Sequence, residues 1–122
     1  MAEARSLAIG IHLAGIQEIV VLMHTDCGCC VAYSKVDTII ERMNENLTPS
    51  QNETFRQTTG EPFQENLRNW LKAFEEPRSA IQQEVTTIKS LSFVPETVVV
   101  HGLLYDLATG GIEVVVNGYE AA

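Results

Sequence analysis

With 122 residues, 45% of them hydrophobic, the chain can build one core and no second, so a single domain over residues 1–122 is expected. Its 8 basic residues stand against 16 acidic ones, and the net charge of −8 argues against nucleic acid or an anionic membrane surface as the main partner and favours a soluble cytoplasmic protein. All three cysteines fall between Cys27 and Cys30, an odd and clustered set that cannot build the disulfide framework of a secreted domain, and they are read as reduced.

Met1 to Gly15 lacks a basic region followed by a continuous apolar core and a cleavage site. No stretch approaches the roughly 20 apolar residues of a membrane span, so nothing is expected to target or anchor the chain. Leu7, Ala8, Ile11 and Ala14 recur at three- and four-residue spacing and Gly15 supplies a stop, which predicts a helix over 2–14. Ile9 and Leu13 widen its apolar face, as suits a helix pressed against a sheet. His12 sits beside that face with no partner at metal spacing, which favours packing or surface over ligation. Glu18 to His24 is short, apolar and β-branched and predicts a buried strand. After Cys27-Gly28 a second helix is expected to run to about Glu45, with Val31, Val36, Ile39, Ile40 and Met43 on its buried side.

Leu47 to Pro62, rich in Thr, Ser, Asn and Gln with two prolines, reads as a loop. Asn46-Leu47-Thr48 and Asn52-Glu53-Thr54 fit the glycosylation acceptor pattern but read as chance matches. Phe63, Leu67, Trp70, Leu71 and Phe74 lie at helical spacing, an aromatic stripe that reads as core or subunit interface. Pro77 fits the first turn of a helix through Ser90 carrying Ile81, Val85 and Ile88. Val94-Pro95 ends the helical part and Thr97 to Val100 predicts a second buried strand. Gly102 to Leu107, the turn Ala108 to Gly111, and Ile112 to Val116 predict a hairpin at the sheet edge, with a frayed tail from Asn117.

The chemistry concentrates where the first strand stops. In an open parallel α/β sheet the ligand crevice lies outside the carboxyl ends of the strands, where His24, Asp26, Cys27, Cys29 and Cys30 fall. His24 and Cys27 have the His-x-x-Cys spacing that lets a strand end and the following turn offer an imidazole and a thiolate to one metal, zinc being the natural occupant. A helix amino terminus favours the thiolate, a field that Cys29 in the first turn shares. A catalytic zinc takes three protein ligands and a water, so a third is required, and Asp26, Cys29 or Cys30 could supply it. Buried cysteines and a satisfied histidine without metal stay open as an alternative. So does a redox pair, Cys27 and Cys30, because strand, Cys-x-x-Cys and helix is the thioredoxin arrangement and Pro95 precedes a strand and hairpin; His24 and Asp26 have no evident task there.

His24-Thr25-Asp26-Cys27-Gly28 after an apolar strand, Ser6-Leu7 in the preceding helix, and Val100-His101-Gly102-Leu103-Leu104-Tyr105-Asp106 with Thr109-Gly110 resemble the β-class carbonic anhydrases over nearly the whole chain. The resemblance implies an α/β fold, a mostly parallel sheet flanked by helices with the carboxyl-terminal hairpin at its edge. It implies a dimer or higher homo-oligomer and a zinc-activated water that attacks carbon dioxide to give bicarbonate. His24 and Cys27 then correspond to the second and third zinc ligands. Family members carry, upstream of the region matching Ser6, a Cys-x-Asp-x-Arg motif that gives the first ligand and an Asp/Arg pair at the metal. The 122 residues contain no such motif, and Cys29 stands where the family often has Met. In the family the segment with that motif forms the strand beside the one ending at His24, so an exposed apolar strand edge is expected here. The expectation is an amino-terminally truncated member or fragment, or a short relative whose strand a partner replaces. Zinc binding and carbon dioxide hydration are expected to be weak or absent in this chain alone. The competing readings are a non-catalytic relative that oligomerises with a full-length one, a thiol oxidoreductase using Cys27 and Cys30, and a related hydrolase of carbon disulfide or carbonyl sulfide.

Overall fold

A computed structural model describes residues 2–120, with only the backbone of Ala2; Met1, Ala121 and Ala122 lie outside the described residues. In chain order the elements are α1 (Ala2–His12), β1 (Glu18–His24), α2 (Gly28–Ser34), α3 (Val36–Asn46), α4 (Pro49–Thr59), α5 (Phe63–Trp70), α6 (Pro77–Ser90), β2 (Val99–Tyr105) and β3 (Ile112–Val116). They form two compact units, Met1–Thr25 with Pro77–Ala122, and Asp26–Glu76, each with its own apolar core.

The first unit is a sheet of order β1-β2-β3. β1 runs parallel to β2 in unbroken register from Glu18 opposite Val99 to His24 opposite Tyr105. β2 turns back antiparallel into β3, with an irregularity between Gly102 and Leu103, so the hairpin closes one edge as expected. Alternation decides the core face: Ile19, Val21 and Met23 of β1 and Val100 and Leu104 of β2 gather with Ile81, Val85 and Ile88 of α6 and with Leu7 and Ile11 of α1. Gly102 lets α6 approach, because a Cβ there would lie 2.3 Å from Ile81 Cγ2.

Four expectations change in this unit. β2 is one strand from Val99 to Tyr105, where a strand over 97–100 and a separate continuation were expected. Ile9 and Leu13 of α1 are exposed, so the covered stripe is narrower, carried by Leu7 and Ile11. β1 is covered on one face only: Val21 is buried, while Val20 is 51% and Leu22 59% exposed, because α1 and α6 lie on the opposite side of an edge strand. The tail, read as frayed, folds back through Glu120. Gly118 N–H donates to His101 Nδ1 at 2.9 Å, which puts the ring proton on Nε2, and Nε2 donates to Glu18 Oε1 at 3.1 Å. The Tyr119 hydroxyl donates to the same oxygen, its ring 4.7 Å from that of His101.

The second unit is helical. A single helix after Cys27-Gly28, running to about Glu45, was expected; the chain instead breaks at Lys35 (φ −113°, ψ 27°) between α2 and α3. Ser34 Oγ donates to Val31 O at 3.0 Å, and such side-chain bonds compete with the helical ladder. Val31 is exposed as a result, whereas Val36 is buried with Phe63 and Leu67, flanked by Ile39, Ile40 and Met43. The stretch expected as a loop holds α4. Its start is a capping box: Thr48 Oγ1 accepts from Gln51 N–H at 3.2 Å, Gln51 Oε1 accepts from Thr48 N–H at 3.0 Å, and Pro49 opens the first turn. α5 ends at Trp70, short of Phe74, and Trp70 is exposed with its ring edge-on to Phe55 at 5.3 Å. Among the described residues no helix is long and apolar enough to cross a membrane.

Two outcomes test this packing. Ile81 is 0% exposed, so Ile81→Ala should cost about 2–5 kcal/mol in denaturant unfolding, and a cost under about 1 kcal/mol would contradict the core as described. The Tyr119 hydrogen bond, then that of His101, holds the Glu18 carboxyl below its ordinary value of 4.5, and the same bond raises the Tyr119 phenol above 10.0. The Glu18 contribution to stability is therefore present above pH 4.5 and fades as pH falls through its lower folded value. That of Tyr119 is present below pH 10.0 and fades as pH rises through its raised one. In Tyr119→Phe the Glu18 titration, followed by NMR, should move up towards 4.5, and the melting-temperature gap to the parent should narrow in acid; an unmoved Glu18 midpoint would contradict the latch.

Candidate metal centre

β1 ends at His24, at the carboxyl edge of the parallel pair, where α/β sheets hold their ligands. His24 Nδ1 lies 2.8 Å from Thr25 O. A carbonyl can only accept, so Nδ1 carries a proton, and in the neutral ring the lone pair is then on Nε2, the form of imidazole a metal requires. Thr25 is itself pinned: its N–H donates to Tyr105 O at 2.9 Å and its Oγ1 accepts from Leu107 N–H at 3.0 Å. The carbonyl that orients His24 is thus held by the end of β2 and the turn after it, and a second layer of this kind fixes ligand orientation. Sequence reasoning singled out His24-Thr25 and Tyr105-Asp106 separately. The bonds that join them span 80 and 82 residues of chain and left no local signal.

Asp26 makes the turn with φ 56°, a left-handed conformation that Asp tolerates better than most residues. Cys27 then takes the cap position of α2 (φ −70°, ψ 136°), its carbonyl accepting from Cys30 N–H at 3.0 Å and Val31 N–H at 3.2 Å. All three thiols are unbridged and half-buried. Burial pushes the Cys29 thiol up, helped by the charge of neighbouring Cys27 and a hydrogen bond to it. This runs opposite to the lowering expected from the helix field, since α2 has only seven residues and desolvation is the larger effect. Cys30 turns away and donates to Glu75 O at 3.3 Å. Among the described residues no group of three or more His, Cys, Asp or Glu side chains is gathered as a metal site.

The sequence model of the family described as "Carbonic anhydrase" matches residues 2–112. "Putative carbonic anhydrase YtiB" of Bacillus subtilis (strain 168) is 30% identical over 115 residues, which cover 94% of this chain and 58% of that protein. The crystal structure of β-carbonic anhydrase isoform I from the protozoan Trichomonas vaginalis superposes with a TM-score of 0.76 at 27% identity, over 98% of this chain and 60% of that one. The apo form of a carbon disulfide hydrolase shares the fold at a TM-score of 0.59 and 22% identity, over 93% of this chain and 59% of its own. The chain therefore spans less than two thirds of the length of each of these relatives. A family match over residues 2–112, together with the shared α/β architecture, means that the chain belongs to the β-carbonic anhydrase family.

Proposed function

We propose that this chain carries part of the zinc site of a β-carbonic anhydrase, with His24 Nε2 and Cys27 Sγ as ligands, in a cytoplasmic homo-oligomer that interconverts carbon dioxide and bicarbonate. The observation that carries the reading is the His24 tautomer, set by Thr25 O at the end of a parallel strand and followed within three residues by the Cys27 cap. A bound zinc supplies Lewis acidity and a water made nucleophilic near neutral pH. The chain's own part is to present the imidazole lone pair and the thiolate and to hold them through Thr25, Tyr105 and Leu107. Two ligands do not complete such a centre, and the 122 residues hold no Cys-x-Asp-x-Arg motif. Asp26, Cys29 and Cys30 are the nearest substitutes in sequence. On this reading the isolated chain binds zinc weakly and hydrates carbon dioxide slowly or not at all.

The thiol oxidoreductase reading is weaker, because the Cys30 thiol is engaged with Glu75 O while Cys29 is the thiol that leans on Cys27. Mild oxidation followed by peptide mapping should therefore give no dominant reversible Cys27–Cys30 disulfide; finding one would revive that reading. For zinc, chelator competition on the purified chain should show weak binding that His24→Ala or Cys27→Ser weakens further by at least about tenfold, with hydration near the buffer rate by stopped flow. Unchanged affinity in both variants would overturn the ligand assignment. One tightly held zinc with fast hydration would overturn the incompleteness.

A further inference from the structure

We propose that the groove between α3, α4 and α5 is a binding site for a small amphipathic monocarboxylate, an acid whose apolar body has the size of a medium-chain fatty acid. The groove has a volume of about 630 Å3, within the range of about 300–1,000 Å3 in which small ligands are held. All of its walls come from the helical unit, between Ile39 and Leu71, and none of them belongs to the candidate metal centre. Its test therefore reads binding rather than turnover.

Helical spacing builds the walls. On α3, Ile39, Arg42, Met43 and Asn46 recur at three- and four-residue intervals and so share one face. On α5, Phe63 and Leu67 turn into the core, while Trp70, a later member of the aromatic stripe, is left 64% exposed. The Trp70 ring stands edge-on to Phe55 of α4 at 5.3 Å, and Leu67, 1% exposed, forms the floor. A broad indole, a phenyl ring and the adaptable Met43 thioether give an apolar body surface to cover.

Charge decides the class of ligand. The helical unit has three arginines, and two are engaged: the Arg56 guanidinium lies over Phe63 at 4.2 Å, and Arg68 lies over Tyr33 and donates to Tyr33 O at 3.2 Å. Arg42, on the rim of the groove, has no such partner among the described residues, and neither has the Asn46 amide one helical turn on. No acidic side chain lines the groove among these residues. An apolar cleft with an unspent guanidinium at its mouth complements a carboxylate on an apolar tail. The tail displaces water from Met43, Phe55 and Trp70, and the guanidinium fork takes both carboxylate oxygens. A chain of net charge −8 attracts no anion from a distance, so selectivity for the carboxylate rests on Arg42 at short range.

Trp70 is the single tryptophan of the chain, so its fluorescence reads the groove directly. Decanoate, kept below its micelle concentration, should give a saturable blue shift. On the unmodified chain decylammonium should bind at least about tenfold more weakly than decanoate, a difference of about 1.4 kcal/mol. Arg42→Gln, at an exposed position outside the core, should weaken decanoate binding at least about fivefold and leave the affinity for decanol unchanged. The comparison of head groups on the unmodified chain gives a reading even if the variant fails to fold. No saturable shift, equal affinity for the carboxylate and the ammonium, or an Arg42→Gln variant that binds decanoate as the parent does would overturn the proposal. So would a blue shift that grows with protein concentration and needs no ligand, because a second copy would then fill the groove.

Discussion

The sheet depends on one close approach. α6 lies against β2 at a distance only glycine permits, with Ile81 fully buried over Gly102 and Val85 beside it. Any side chain at that position would have to displace a packed helix, and close-packed interiors resist even single methylenes. The contact fixes β2 between β1 and β3, and the parallel register then brings His24 level with Tyr105. The two bonds that pin Thr25 are made at that level, so the orientation of the His24 ring traces back to helix packing at the middle of the sheet.

The same arrangement explains why the first strand is unusual. Its composition is that of a strand from the middle of a parallel sheet, apolar on both faces, yet it sits at an edge with one face bare. Apolar residues pay no penalty for the choice of neighbour, but they do require one, and a flat unprotected edge is a template for another strand. The latch of Glu18, His101 and Tyr119 ties down the start of that strand, and Thr25 ties down its end. Between these two anchors the backbone is held in an extended form, in unbroken register with β2.

Legibility in the sequence followed the range of the forces involved. α6 was readable to the residue because Pro77 opens it and Ile81, Val85 and Ile88 repeat at helical spacing, both local signals. β1 was readable because five consecutive apolar residues, Ile19 to Met23, stop at a polar cluster. α4 was missed although its box, Thr48, Pro49 and Gln51, stands in the sequence, because its polar interior resembles a loop when hydrophobic periodicity is the guide. The break at Lys35 was invisible for a different reason: no glycine or proline stands between Val31 and Val36 to mark it. Burial of Val20, Leu22 and Leu13 was overestimated because hydrophobicity states a preference without saying which partner is present. At the site, His24 and Cys27 could be picked out by residue type and spacing, whereas the roles of Thr25 and Leu107 required knowing which distant strand lies alongside.

Membership in the β-carbonic anhydrase family sets the frame, and the central functional claim within it is that His24 and Cys27 act together on one metal. The most direct measurement is optical titration of the purified chain with cobalt(II), a spectroscopically visible stand-in for zinc. The account predicts a thiolate-to-metal charge-transfer band that Cys27→Ser abolishes, His24→Ala weakens and Cys30→Ser leaves in place. A band that survives loss of the Cys27 sulfur would contradict it.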